Sequence, residues 1–330
     1  KIFLLSHFGR PKGQFSKKYS LEFLTKILAN ILSIEQIYFV SSCYGEEVNR
    51  QINLMQPSDI CLLENVRFYK EEEKNNLYFS EYVAKHFDVY VNDAFSASHR
   101  NHASIVGITK YLPSLAGNSL IEEIKILNKL LNQPSKPTTA IIGGSKVSTK
   151  LMLLKNLIKI FDTLIIGGAM ANTFLFAQGF NMGKSLIEKD LIVEARQILE
   201  KSKYFKTNIV LPVDLVCSNS LNDISNIQFV DVNNMLPNQI ALDIGDKTIE
   251  LIKSTILESN NILWNGPLGA FEYKPFDNGT NQVAKIINNS IRKLNKVTIA
   301  GGGDTVAAIK NANAEKGFTY ISTAGGAFLE

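Results

Sequence analysis

The stretch TAIIGGSKVSTK, residues 139–150, sets the fold class. A short apolar run ends in Gly-Gly, and a polar segment with helical character takes over. The run does not alternate, so it reads as a strand buried on both faces of a parallel sheet, with glycines at its carboxyl end. The pattern recurs in KIFLL (1–5), QIYFVSS (36–42), DICLLEN (59–65), DVYVNDA (88–94), TLIIGG (163–168), NILWNG (261–266) and VTIAGGG (297–303). Helical stretches lie between many of these runs, which favours βαβ crossovers. The implied fold class is α/β with doubly wound parallel sheets. Such sheets bind ligands beyond the carboxyl ends of their strands, so the chemistry is expected just after each apolar run.

At 330 residues the chain is long enough for two domains. Ser119 to Glu122 spells a capping box, and Leu120, Ile124, Leu127 and Leu131 continue at helical spacing. The two prolines of NQPSKPT (132–138) end that helix. The expected division is a first domain over 1–116, a connecting helix and hinge over 117–136, and a second domain over 137–330. SNSLNDISN (218–226) reads as a surface loop.

With 45% hydrophobic and 20% charged residues the composition is that of an ordinary globular protein. A net charge of +4 without a dense Lys/Arg run argues against a nucleic-acid partner. No run approaches the roughly 18 apolar residues of a membrane span. Cys43, Cys61 and Cys217 are widely spaced and form no CxxC pair, which suits a reducing, cytoplasmic compartment.

In the second half, strand-then-Gly-Gly junctions at 143, 167, 301 and 325 let backbone approach a bound phosphate. GGSKVSTK adds Lys146 and Lys150, four apart and so on one helix face. IAGGGDT places Asp304 and Thr305 at a helix start, positioned to cap it or to face a Mg²⁺-phosphate group. WNGPLGAFE contributes Asn265, a Gly-Pro turn and Glu272. GFNMGKS (179–185) nearly spells a P-loop, but its first glycine is one residue too close to Gly-Lys and a helical stretch precedes it. A helix end at Gly179 and a capping box from Ser185 to Glu188 account for it. The absence of GxGxxG weighs against a nicotinamide-dependent dehydrogenase.

The first half places His7 and Arg10, then Arg67, then His99, Arg100 and His102, each just beyond an apolar run. Gathered at one sheet edge, they suggest a pocket for a small polyanion, because the forked guanidinium suits carboxylate and phosphate.

SHFGRPKG, LLENVRF, VNDAFSASHR, GGSKVSTK, LWNGPLGAFE, IAGGGDT and STAGGAFLE, in this order from residue 1 to 330, closely resemble the phosphoglycerate kinase family. The resemblance implies two Rossmann-like domains joined by a helix, with a cleft between. It also implies phosphoryl transfer between 1,3-bisphosphoglycerate and MgADP, giving 3-phosphoglycerate and ATP, in a monomer. His7, Phe8, Gly9, Arg10, Arg67 and Arg100 would bind the phosphoglycerate. Lys150 would bind nucleotide phosphate and, with Lys146, the phosphoryl group in flight. Glu272 resembles the ribose contact, Asn265 belongs to the nucleotide side, and Gly302, Gly303, Asp304 and Thr305 resemble the phosphate and Mg²⁺ loop. Gly325 and Gly326 would supply amides near the transferring group. Ala241 stands at an adenine-side position that is often Gly, and Ser98 where Ala is common.

The family pattern also holds an earlier Arg-x-Asp-x-Asn-type strand, a following helical arginine and a segment beyond GGAFLE. None of these appears among the 330 residues. The reading therefore expects a phosphoglycerate pocket short of some ligands, an exposed edge in the first sheet, and an inactive, poorly stable polypeptide when these residues stand alone. A truncated, non-catalytic nucleotide-binding protein is the alternative.

Overall fold

The computed structural model describes residues 1–132, 134–290 and 296–322. They form two compact units, one of Lys1–Ile121 and one beginning at Glu122.

In the first unit β1 (Ile2–Leu4), β2 (Tyr38–Val40) and β3 (Ile60–Leu63) make a parallel sheet in the order β1-β3-β2. The helix Leu24–Leu32 covers one face, packing Leu24, Leu28 and Ala29 with Leu4, Phe39 and Leu62. The other face packs Val40, Cys61 and Leu63 with Phe79 and Val83. Cys61, Leu62 and Leu63 are accordingly buried, as an unbroken apolar run requires.

β4 (Tyr90–Asn92) and β5 (Ser114–Ala116) form a separate parallel pair. Burial on both faces does not hold for DVYVNDA. Tyr90 packs into the core, and the two-residue period of a strand then sends Val91 outward, where it stands 54% exposed. The helix after β5, Asn118–Asn132, is not started by Ser119. It begins one residue earlier, which leaves Ser119 inside the first turn. The Asp93 carboxylate accepts from Leu120 N (2.9 Å) and Ser119 Oγ (3.1 Å) instead, and its charge complements the helix N-terminus.

The second unit contains, in chain order, β6 (Thr138–Ile142), β7 (Thr163–Ile166), β8 (Asn208–Val210), β9 (Asp214–Ser218), β10 (Gln228–Asp231), β11 (Ile240–Ile244), β12 (Asn261–Asn265), β13 (Val297–Gly301) and β14 (Tyr320–Ile321). Its main sheet is parallel, in the order β14-β13-β12-β6-β7-β8. Trp264, Ile141, Ile165, Ile262 and Val283 fill one core cluster. β9, β10 and β11 form an antiparallel sheet that the parallel reading did not include. Its strands carry Asp214, Asp231 and Asp243, so they lack the unbroken apolar signature. Residues 219–227 link β9 to β10, where the loop was expected.

The strand order reverses between β6 and β12: β7 and β8 extend one way, β13 and β14 the other. This is the topological switch point, where the loops leaving adjacent strands diverge and open a crevice. Gly143–Gly144 and Gly266 stand at its mouth.

Candidate active site

In the first unit the polyanion residues rest on a frame built by Glu64 and Asn65. The buried Glu64 carboxylate accepts from Leu21 N (2.9 Å), Asn65 N (2.7 Å) and Ser20 Oγ (2.7 Å). Asn65 Nδ2 donates to Phe8 O (2.8 Å) and Tyr19 O (2.9 Å), which shapes the turn after β1. Gly9 has φ +63°, and a Cβ there would lie 2.4 Å from Tyr19 Cε1, so only glycine fits. Arg67 Nη1 donates to Gly9 O at 2.9 Å.

The rest of that guanidinium is open. Arg67 is 6% exposed, yet its Nε and Nη2 make no hydrogen bond, and neither does Arg100 Nε. Glu73 Oε1, at 3.7 Å from Arg67 Nε, is beyond bonding distance. Burial lowers the Arg67 pKa, and the neighbouring Arg100 and Arg10 charges add to that, with Glu73 and Glu72 opposing. His7 is held down to about 4 by burial and by Arg67, Arg100 and His102, so all these groups share one electrostatic neighbourhood. His99 is exposed beside it. Glu72, buried and unforeseen, accepts from Ser104 N (2.9 Å) and Ser104 Oγ (2.6 Å) and lies 3.5 Å from His102 Nδ1. The cluster therefore offers more cationic donors than protein carboxylates satisfy.

The sign of the His7 effect follows. Its folded pKa lies below the ordinary 6.5, so it favours the folded state above that value and the contribution is lost as pH falls from 6.5 toward 4. An anion in the cluster favours the imidazolium and should raise this pKa. NMR titration of the His7 ring with and without a small phosphorylated carboxylate reads the shift, and an unmoved titration would remove His7 from the anion site.

In the second unit two glycine turns meet backbone to backbone at the switch point. Gly143 N donates to Asn265 O (2.9 Å), and a Cβ on Gly143 would lie 2.0 Å from Pro267 O. Lys150 reaches back over them. Its Nζ donates to Gly143 O (2.6 Å) and Asn265 Oδ1 (2.5 Å), and burial lowers its pKa to about 8 against the pull of Asp304. Asn265 Nδ2 donates to Gly301 O (2.7 Å), tying the ends of β12 and β13 to the same lysine. Gly302, at φ +98°, passes close enough that a Cβ would sit 2.7 Å from Asn265 Nδ2. The helix Gly303–Asn311 starts there, with Gly303 and Asp304 exposed. Thr305 is buried instead, and its hydroxyl accepts from Gly266 N at 2.6 Å.

Lys150, Asn265, Gly302 and Thr305 are thus in one place, with Asp304 in electrostatic reach. Lys146 and Lys150 do not share a helix face as the spacing suggested, because the helix starts only at Leu151 and Lys146 is exposed on the turn before it. Glu272 is exposed on the loop after β12, and Ala241 lies in β11 with its N–H donated to Ser185 Oγ (2.9 Å). Gly325 and Gly326 lie outside the described residues.

GFNMGKS makes no P-loop: it leaves the helix Gly168–Ala177 through Gly179, at φ +99°. The expected Ser185–Glu188 capping box is absent too, since the next helix begins at Ile192, preceded by a 3-10 turn at Lys189–Leu191. Both side chains are engaged by other strands and turns.

Asp243 was also missed. It accepts from Gly279 N (2.7 Å) and Ile244 N (2.9 Å), and burial pushes it up to about 8. A Cβ on Gly269 would lie 2.2 Å from its Oδ1, so it braces the start of the Glu272 loop. A lone Asp inside the run IALDI was the available signal.

The sequence model of phosphoglycerate kinase matches residues 1–330. The phosphoglycerate kinase of Brucella abortus biovar 1 is 46% identical over 330 residues, covering 100% of this chain and 83% of its own. That of Bartonella bacilliformis is 47% identical, with 100% and 82% covered. Among solved structures, phosphoglycerate kinase from Coxiella burnetii superposes with a TM-score of 0.86 at 36% identity, covering 99% of this chain and 82% of the other. The Pyrococcus horikoshii OT3 enzyme gives 0.83 at 28% identity, covering 100% and 82%. No described helix is long and apolar enough to cross a membrane.

Proposed function

Because the chain belongs to the phosphoglycerate kinase family of glycolytic phosphotransferases, we propose that its own residues carry reversible in-line phosphoryl transfer between 1,3-bisphosphoglycerate and MgADP, giving 3-phosphoglycerate and ATP. The observation that carries this reading is Lys150, a desolvated ammonium held among glycine turns at the switch point of the second sheet. Little covalent chemistry is asked of the protein in such a transfer. It aligns donor and acceptor oxygens and neutralises charge on the moving group.

Lys150 and Lys146 supply that charge, and Gly302 to Asp304 supply a helix start whose amides favour phosphate. His7 to Arg10, Arg67 and Arg100 hold the phosphoglycerate. Mg²⁺ arrives with the nucleotide. Asp304, a single exposed carboxylate, suits an ion whose other ligands are phosphate oxygens and water. Donor and acceptor are assigned to different units, so turnover requires a hinge movement around 117–136. Three buried free thiols agree with a reducing, cytoplasmic compartment; the reading takes the protein as a monomer acting there on small molecules, without nucleic-acid or membrane partners.

A coupled assay on the complete reading frame tests the reading. Rapid ATP formation from 1,3-bisphosphoglycerate and ADP is expected, whereas ADP binding without turnover would establish the non-catalytic alternative. Calorimetry at pH 8 adds a second check. Phosphate beside Lys150 favours its ammonium form, so ADP binding should take up protons and its enthalpy should depend on the buffer. A buffer-independent enthalpy would place the phosphates away from Nζ.

A further inference from the structure

The turn that carries Lys146 and Lys150 follows Gly144, whose φ of +125° leaves it little steric restraint of its own. Inside the turn, Lys150 N donates to Val147 O (2.9 Å) and Thr149 Oγ1 to Lys146 O (3.0 Å). The amides of Val147 and Ser148 are left for an outside partner, and that partner is the side chain of Glu188. Its Oε2 accepts from Val147 N and from Ser148 N (3.1 Å), and its Oε1 accepts from Ser148 Oγ (2.5 Å).

Glu188 is itself anchored. Its N–H donates to Thr173 Oγ1 (3.1 Å), and Asn172 Nδ2 donates to Leu186 O (3.3 Å), which ties the segment to the helix Gly168–Ala177. At the other end Lys184 N donates to Gln239 O (2.8 Å) and Ser185 Oγ accepts from Ala241 N, which ties it to β11 and the residue before it. Residues 184–188 therefore strap the adenine-side strand to the lysine turn.

We propose that Glu188 is a positioning residue for phosphoryl transfer: it fixes the turn so that Lys146 and Lys150 present their ammonium groups in one geometry. This rests on the transfer reading given above. A charged acceptor binding three donors is the strong form of such a restraint, and small displacements of a positioned group cost rate steeply.

Glu188→Ala and Glu188→Gln, made in the complete reading frame, test it. Glu188→Ala should lower kcat by on the order of 10–100-fold, with KM for ADP and for 3-phosphoglycerate changed by less than about threefold. Added formate should restore part of that kcat and leave Lys150→Ala unaffected. Glu188→Gln, which keeps the shape and one acceptor, should fall between. Wild-type kcat in Glu188→Ala, or a loss matched by its unfolded fraction in a thermal melt and not restored by formate, overturns the proposal. Amide exchange separates this from failure of the transfer reading. If the parent protein makes no ATP, faster exchange at Val147 and Ser148 in Glu188→Gln still supports the restraint, and unchanged exchange sinks it.

Discussion

Replacing Lys150 by Ala should lower kcat by about 10²–10³-fold while weakening ADP binding by less than about tenfold. The asymmetry comes from where the charge is needed. ADP brings phosphates that water, Mg²⁺ and helix-start amides also stabilise, so one lysine adds modestly to ground-state binding. Charge on the phosphoryl group in flight is best met by donors already fixed in place, which water cannot replace without reorienting. Lys150 is partly buried and held by Gly143 O and Asn265 Oδ1, so part of its water is already replaced by fixed protein groups.

The stability consequence can be checked on the same variant. Lys150 has a folded pKa near 8 against an ordinary 10.5, so its charge opposes folding below 8, and that opposition is relieved as pH rises from 8 toward 10.5. The alanine variant should lose this pH dependence. It also leaves Gly143 O and Asn265 Oδ1 without their donor. Equal losses in kcat and ADP affinity would remove the transition-state role and leave only a binding one.

Arg67→Met should move function and stability in opposite directions. Its affinity for 3-phosphoglycerate should fall by roughly 30- to 5,000-fold, corresponding to about 2–5 kcal/mol for truncating one partner of a buried, hydrogen-bonded charge pair. Its melting temperature without ligand should stay level or rise. The guanidinium is buried with two nitrogens unbonded; it gives up one hydrogen bond, to Gly9 O, and a loose ion pair with the exposed Glu73 at 3.7 Å, so an apolar side chain of similar length removes a buried charge whose donors are largely unsatisfied. Titration calorimetry and scanning calorimetry on one preparation read both effects. Unchanged affinity with a lowered melting temperature would make Arg67 a structural residue.

Particular residues explain what was legible in advance. TLIIGG and VTIAGGG announced β7 and β13 because their apolar side chains run without interruption, and a strand buried on both faces has no other composition available. The order of the strands was not legible. β6 and β12 are neighbours although more than 100 residues separate them, and only that pairing brings Gly143, Lys150 and Asn265 together. Ser119 and Ser185 misled for one reason: a capping motif describes a local option, and Asp93 and Ala241 compete for the same groups from distant parts of the chain.

The motifs by themselves determined the fold class, the lysine and arginine candidates and the family, because each needs only residue types at short spacing. The tertiary structure alone decided which donors stand open and which are taken. Thr305 turns its hydroxyl inward to Gly266, Glu188 claims the amides of the lysine turn, and Arg67 keeps two nitrogens unbonded. Whether a polar group is satisfied depends on partners brought near by the fold, and chain spacing does not encode that distance.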